Sequence, residues 1–377
     1  MQDPRKIVGL DYKSGPNVPS RKTFLRISAD LLRWFRKEGR KMPWRETRDP
    51  YRIWVSEIML QQTRVETVAL YYGRFLAKFP DVRSLAVAAP DEVMKAWEGL
   101  GYYARARNLQ KTARIVMERY GGKIPGTVEE LGGLPGIGRS TAGAIAAIAF
   151  GADAPVLDAN ARRVVARLFG VRGDPRTAGV RNALWDLSGR MVARGKGRET
   201  ALAAMDLGAT VCSPRSPRCA GCPVRGFCVA FREGIQEAIP PRAARRTVPR
   251  HDVVAALFRR PDGALLLVRR PPEGLLGGLW AFPSGRRAPG ESLEETLRRA
   301  LREKLRLRAR IQRKVGTVSH AYSHYRITLH GYLCVPGAGA VPSGERAGWF
   351  HPGGKTRYAL PRADRKLVEL ILREEGP

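Results

Sequence analysis

The chain has 377 residues and a formal net charge of +32, from 67 Lys and Arg against 35 Asp and Glu. That balance points to a polyanionic partner, nucleic acid foremost, and a 44% hydrophobic content suffices for two or three buried cores. No run of about eighteen apolar residues is present, which excludes a membrane-spanning helix, and no apolar segment near residue 1 marks a secretory signal.

Residues 1–22 read as a flexible tail without hydrophobic period. From Thr23 the pattern turns helical, with Phe24, Ile27, Leu31, Leu32, Trp34 and Phe35 on one broad face. After a loop through Pro43 and Pro50, a second helix starts near Tyr51 and carries Glu57 inside an apolar run. An unpaired carboxylate there costs several kcal/mol. Glu57 is therefore paired, exposed at a helix end, or employed in a site. The polar Gln61, Gln62 and Thr63 that follow suggest a helix break and a cleft wall. Helices over Arg64–Phe79, from Ala89 to the Gly99–Gly101 break, and over Arg105–Tyr120 come next. Tyr102 and Tyr103 sit on the loop between the last two. They either stack on bases or pack into a core.

Gly136-Ile-Gly138 then opens a helix that runs to Phe150, with Gly151 as its stop. Glycines at 136 and 138 permit positive φ. A turn that aims free N–H groups outward is an anion site, so Gly136 and Gly138 are candidates to hold a DNA phosphate. Asp158 stands where the next helix begins. It is either that helix's cap or a carboxylate offered to a substrate. Further helices are expected over Ala159–Phe169, Arg181–Met191 and Thr200–Leu207.

Cys212, Cys219, Cys222 and Cys228 follow in a C-x6-C-x2-C-x5-C pattern. Four thiols in one short loop suit an iron–sulfur cluster or a structural zinc. Residues 234–250 are rich in Pro and Arg and read as a linker. Beyond it the period becomes that of strands: Val253–Phe258 and Ala264–Val268 around the turn Pro261-Asp-Gly263, an expected hairpin, then Leu279–Pro283, Val315–Ser319 and Tyr325–Val335. Ser292–Leu305 reads as an amphipathic helix. The expected fold is therefore an all-α domain over 23–233, with the cysteine loop at 212–228, followed by an α+β domain over 251–377.

Taken together, Pro43-Trp-Arg45, the run from Trp54 to Thr67, the run from Gly99 to Asn108, the glycine turn with Leu157-Asp-Ala-Asn160, Met205-Asp-Leu-Gly208 and the cysteine loop resemble the MutY-type adenine DNA glycosylases. The resemblance runs in order from Thr23 to Cys228 and continues more weakly to about Leu370. It implies a helix–hairpin–helix glycosylase domain with a 4Fe–4S cluster on Cys212, Cys219, Cys222 and Cys228, and a C-terminal Nudix-like domain. It implies removal of adenine mispaired with 8-oxoguanine or guanine from duplex DNA, the base flipped out of the stack for cleavage.

By the same resemblance Glu57 is the acid that protonates adenine, Asp158 stabilises the cationic sugar, and Asn160 orients the site. Arg45, Asp206 and Ser140 map to the adenine pocket. Tyr102 is expected to wedge into the stack, with Gln62 and Leu100 beside the orphaned base. Bifunctional endonuclease III-type relatives carry a catalytic lysine where this chain has Ser140, and a hydroxyl cannot form a Schiff base. A monofunctional enzyme leaving an abasic site is thus expected. The C-terminal domain lays a Nudix frame on Gly285, Glu291 and Arg299, but Ala300 and Lys304 replace two metal-binding glutamates and Arg306 a glycine. Pyrophosphatase chemistry is therefore not expected. Tyr322, Ser323 and His324 match the loop that senses 8-oxoguanine. The enzyme is expected to be a cytoplasmic, nucleoid-associated monomer of bacterial type. Rival readings are a bifunctional glycosylase/lyase, opposed by Ser140; a lesion-binding protein without chemistry, opposed by Glu57 and Asp158; and a nucleotide-pool hydrolase, opposed by Ala300 and Lys304.

Overall fold

The computed structural model describes all residues except 1–18, 242–246, 323, 338–343, 345, 355 and 375–377. Residues 1–18 of the expected tail and Ser323 therefore lie outside the described residues, while the expected tail bound at 22 is corrected: Ser20 caps a helix that begins at Arg21. Two compact units form, one from Met1–Ala86 with Lys111–Ala244, the other from Val87–Gln110 with Arg245–Pro377.

In chain order the helices are α1 (Arg21–Glu38), α2 (Pro50–Leu60), α3 (Val65–Lys78), α4 (Val82–Val87), α5 (Pro90–Ala96) and α6 (Ala104–Tyr120). Then come α7 (Val128–Gly132), α8 (Arg139–Phe150), α9 (Ala159–Leu168), α10 (Ala178–Arg190), α11 (Gly197–Thr210) and α12 (Val229–Arg232). Strands β1 (Arg250–Phe258), β2 (Leu265–Arg269), β3 (Trp280–Ala281) and β4 (Ser284–Arg286) precede α13 (Leu293–Leu305). The chain closes with β5 (Ala309–Ala321), β6 (Arg326–Pro336), β7 (Ala347–Phe350) and α14 (Arg362–Glu374). Among the described residues before Arg250 there is no strand, as the hydrophobic period requires.

Helix starts in the first unit are chemically marked. Asp49 accepts N–H bonds from Tyr51 (2.8 Å) and Arg52 (3.1 Å), and Pro50 presets the first turn of α2. Asp158 accepts from Ala161 N–H at 2.7 Å and so caps α9. Gly151, at φ 73°, ends α8. One core joins Phe24, Ile27 and Leu31 of α1 to Val164, Val165 and Leu168 of α9 and to Ala203 and Leu207 of α11. The approach of α9 to α11 is set by Gly208. A Cβ there would lie 2.7 Å from the Asn160 Cβ and carbonyl oxygen.

In the second unit, β4-β1-β6-β5 form one sheet and β3-β2-β7 another. β1 runs parallel to β6 and antiparallel to β4. Alternation along β1 sends Ala255 and Leu257 into a core with Leu367 and Ile371 of α14. It sends Val254, Ala256 and Phe258 into a second core with Leu297 and Leu301 of α13. The expected β1–β2 hairpin does not form. The turn is present, with Gly263 N–H bonded to Arg260 O at 2.9 Å, but the strands enter different sheets and share only the Arg259–Leu265 bridge. Both strands are apolar on both faces, and each is satisfied only as the centre of its own sheet.

Segment 87–110 belongs to this unit through side chains. Glu98 accepts from Lys95 (2.7 Å), from Leu360 N–H (2.9 Å) and from Arg365. Asp91 pairs with Arg269 at 3.1 Å, and Arg107 donates to Gly277 O at 2.6 Å. Burial pushes the Glu98 carboxyl up, but these donors outweigh it and hold the group below its ordinary value.

Because Gly208 faces backbone across the α9–α11 contact, Gly208→Ala must displace α9. Overpacking of this kind costs about 1–3 kcal/mol. A lower thermal midpoint is expected for the variant. Thermal melts of the two proteins check it, and an unchanged midpoint would refute the close packing.

Candidate active site

A cavity of about 200 Å³ opens in the first unit, and its wall includes Arg45, Glu57, Ser140, Asp158 and Asn160. Five of the residues singled out from sequence thus meet at one place. Glu57 comes from the last turn of α2, Ser140 from the first turn of α8, and Asp158 and Asn160 from the start of α9. Arg45 comes from the 3-10 turn Pro43–Arg45.

The two carboxylates sit in different environments. Burial, then the charge of Asp158, pushes the Glu57 carboxyl up to about 7, and only Arg45 opposes the shift. Burial also raises Asp158, and its cap bonds from Ala161 and Asn160 N–H with the nearby Arg163 and Arg162 limit that rise without reversing it. Glu57 has only Arg45 to oppose its own rise, so it is the carboxyl of the two set to carry a proton near neutral pH.

Asp206 does not line the cavity. It is fully buried, and both its oxygens are committed. Arg45 binds it through two bonds of 2.6 and 2.8 Å, and Arg40 through its backbone N–H (2.9 Å) and Nε (2.7 Å). Asp206 thus holds Arg45 in the wall rather than offering itself to a base. Arg198 donates to the carbonyls of Arg45 (2.7 Å) and Thr47 (3.2 Å), and so fixes the same loop.

Two further residues matter that sequence reasoning missed, Arg163 and Arg40, while Gln61 falls on the cleft wall as expected. Arg163 donates to Asn160 Oδ1 (2.9 Å), Gly208 O (2.7 Å) and Cys212 O (2.7 Å), tying the site to the cysteine loop. Its spacing three residues after Asn160 was the available signal. Arg40 had none, because its partner lies 166 residues away. Gln61 lines the cavity and bonds to Thr141 Oγ1 at 3.1 Å. Gln62, beside it, is exposed and left-handed at φ 57°. Ser140 Oγ accepts the Leu157 N–H at 3.2 Å.

In the glycine turn only one of the two residues needs its freedom. Gly136 has φ 80°, but Gly138 has φ −83°, which any residue adopts. The expectation of positive φ at 138 is therefore corrected: Gly138 is the N-cap of α8 and supplies no side chain there. In the second unit the tyrosine pair divides. Tyr103 is buried and its hydroxyl accepts the Gly99 N–H at 3.2 Å, whereas Tyr102 is exposed at φ 48°. Leu100 is buried.

Cys212, Cys219, Cys222 and Cys228 are free thiols, each half-buried. Cys222 is pushed up to about 12 by burial and by the other three sulfurs, which places all four within electrostatic reach of one another. Backbone N–H groups of Phe231 and Ala230 point at Cys228, and Arg167 reaches Cys212 Sγ at 3.4 Å. Such donors suit thiolates held by a metal, which must stay deprotonated. Among the described residues no three Cys, His, Asp or Glu side chains converge as ligands of a single ion. Four cysteine donors in one loop, with N–H groups and an arginine beside them, are a donor set that a metal centre would fit.

In the Nudix frame, Arg299 takes up the remaining carboxylates. It binds Glu291 through two bonds of 2.6 and 2.9 Å and Glu303 at 3.1 Å. Lys304 donates to Ser284 O at 2.7 Å, and Ala300 is buried. Tyr322 is half-buried against His320 and Tyr325, with ring centroids 4.5 and 5.0 Å away, while His324 is exposed.

A family model described as HhH-GPD superfamily base excision DNA repair protein matches residues 55–190, and one described as NUDIX domain matches 254–370. The adenine DNA glycosylase of Homo sapiens is 38% identical over 375 residues, covering 84% of this chain and 69% of that protein. That of Mus musculus is 37% identical, covering 84% and 73%. Among solved structures, a thermostable thymine-DNA glycosylase matches with a TM-score of 0.52 and 33% identity, covering 56% of this chain and 98% of its own. Endonuclease III in a non-covalent complex with DNA matches in fold, with a TM-score of 0.50 and 21% identity over 58% and 100%. Identity at this level, sustained through most of the chain and of the mammalian proteins, shows that the chain belongs to the adenine DNA glycosylase family.

Proposed function

We propose that this protein removes adenine mispaired with 8-oxoguanine or guanine from duplex DNA and leaves an abasic site. The observation that carries the reading is the pair of carboxylates on one cavity, with Glu57 raised to about 7 and Asp158 held as a helix cap. Protonated Glu57 donates to N7 of the flipped adenine, which makes the base a leaving group. The N9–C1′ bond breaks, with its electron pair departing on adenine. Asp158 faces the cationic sugar and stabilises it. Water then adds at C1′, and its proton returns to the Glu57 carboxylate. Asn160, held by Arg163, orients the site, and Arg45 closes the wall behind Glu57. Ser140 offers no amine, so no covalent imine and no strand cleavage follow.

In the second unit Tyr322, Ser323 and His324 are assigned to the oxidised base, Gln62, Leu100 and Tyr102 to the opened stack, and Gly136 and Gly138 to a backbone phosphate. Cys212, Cys219, Cys222 and Cys228 would hold a 4Fe–4S cluster, whose contribution is to pin the loop after α11 as a structural clamp. The enzyme works as a monomer on nucleoid DNA in the cytoplasm. No described helix is long and apolar enough to cross a membrane.

The test is a single-turnover assay on a labelled duplex with adenine opposite 8-oxoguanine, with and without hot alkali. Wild type is expected to give strand cleavage only after alkali. Asp158→Asn and Glu57→Gln are each expected to slow excision by about 10²–10⁴-fold, the range for a positioned acid or base. Cleavage without alkali would favour the lyase reading, and tight binding without any cleavage the lesion-binding reading.

The pH profile follows from the same pair. Excision needs Glu57 protonated, so the rate is expected to fall as pH rises through about 7. It also needs Asp158 ionised, so a second fall is expected on the acid side. A rate flat from pH 6 to 8.5 in wild type would remove Glu57 from the role of acid.

Stability follows pH in the same direction. A carboxyl whose folded value is raised favours folding fully below its unfolded value and loses that advantage as pH rises to about 7. Glu57→Gln is therefore expected to stabilise the protein at pH 8, by about 3 kcal/mol at most, and to leave it unchanged at pH 4. Denaturant titrations at the two pH values measure the difference.

A further inference from the structure

The loop between α5 and α6 in the second unit gathers left-handed residues, one of them a tyrosine. Gly99 (φ 102°), Gly101 (φ 73°) and Tyr102 (φ 48°) are left-handed within four residues. For a tyrosine that conformation costs about 1–2 kcal/mol. It turns the ring outward, where Tyr102 is 37% exposed, one of the few large aromatic side chains so placed. Nothing in Tyr102's own exposed surface explains why the loop holds this shape.

Arg105, one turn along on α6, supplies the explanation. It is buried at 8% exposure beneath the loop. One guanidinium nitrogen donates to both Leu100 O (3.2 Å) and Gly101 O (3.1 Å). Its Cζ lies 5.2 Å from the centroid of Trp97 and 5.6 Å from that of Tyr102, so the cation sits between the two rings. Trp97 Nε1 adds a bond to the same Gly101 carbonyl at 3.1 Å. Burial pulls the Arg105 guanidinium down to about 10, against the pull of Tyr102. Desolvating a cation this far costs several kcal/mol. Two loop carbonyls and two aromatic faces are what it gains.

We propose that Arg105 is the positioning residue that braces Tyr102, so that the ring withstands the force of opening the base stack. The proposal rests on the reading of Tyr102 as the intercalating side chain. Unstacking a base step costs a few kcal/mol. A ring on an unbraced loop would yield to the duplex instead of parting it. Arg105 touches no substrate. It acts by fixing the carbonyls on either side of the turn and by backing the Tyr102 ring with a fixed positive charge.

The test uses the full-length enzyme with its cysteine loop intact. Single-turnover excision is measured on two duplexes with adenine opposite 8-oxoguanine, one fully stacked and one in which mismatches on both sides have already weakened the stack. Wild type is compared with Tyr102→Ala, Arg105→Gln, Arg105→Lys and the double variant Tyr102→Ala/Arg105→Gln. Arg105→Gln is expected to slow excision on the stacked duplex by about 10–100-fold, as a misplaced positioning group does, and to lose most of that penalty on the weakened duplex. Arg105→Lys keeps the charge but not the fork, should fall between, and carries the same comparison where Arg105→Gln does not fold. In the Tyr102→Ala background, Arg105→Gln should add little, because both act through one ring.

Equal losses on the two duplexes, or losses that multiply in the double variant, would overturn the bracing role while leaving Tyr102 as the wedge. Full activity of Tyr102→Ala on the stacked duplex would overturn the wedge reading, and the proposal with it.

Discussion

Asp206 is cut off from solvent and meets two arginines, and the geometry around the cavity follows from that constraint. A carboxylate so buried is tolerable only with its lone pairs filled, and removing one partner from such a group typically costs about 3–5 kcal/mol. Arg40 and Arg45 fill them from a loop 161–166 residues earlier in the chain. The loop before α2 is thereby locked to α11, and α2 must start where Asp49 and Pro50 place it. Glu57 then falls in the last turn of α2 on the cavity wall. Although Asp206 is not part of the cavity, it determines where the acid stands and how much of Arg45's charge reaches it. Burial would raise the Asp206 carboxyl, but the arginine bonds prevail and keep it low, so this anchor stays ionised while Glu57 does not.

The contrast between Glu57 and Asp158 has a simple origin in secondary structure. Glu57 lies at the end of a helix, where backbone N–H groups are already spent on the preceding turns. Asp158 lies at the start of one, where they are free, and takes the bond from Ala161 at 2.7 Å. A helix start also favours negative charge. Burial raises both carboxyls, but at the helix start the N–H bonds and the nearby arginines limit a rise that runs further at Glu57.

How much of this was legible in the sequence varies with the range of the interaction. Local signals read well: the apolar run around Glu57, the cap position of Asp158, the stop at Gly151 and the change of period after the linker all rest on neighbours within a few residues. Long-range commitments were not legible. Asp206 looked like a group available to a base because its arginine partners lie far off in sequence. Arg163 was not singled out, because its carbonyl partners at Gly208 and Cys212 lie 45 and 49 residues away. The strands around Pro261-Asp-Gly263 read as a hairpin because the turn chemistry is local, whereas the decision to enter two sheets is made by apolar surface on both faces of each strand. The association of 87–110 with the C-terminal strands depends on Glu98, Asp91 and Arg107 meeting partners 170 or more residues away, which no pattern within the segment announces.

The C-terminal domain carries the same logic to the opposite result. Two acidic side chains of the Nudix frame remain, Glu291 just before α13 and Glu303 on it, yet Arg299 lies between them and binds both. Mg²⁺ asks for several oxygen ligands with their charge unspent. Here Glu291 also accepts from Thr296 and from Ala288 N–H, so it is further committed to holding the start of α13. Restoring a metal would require breaking those bonds as well as replacing Ala300 and Lys304. The frame has become a structural clamp between β4 and α13.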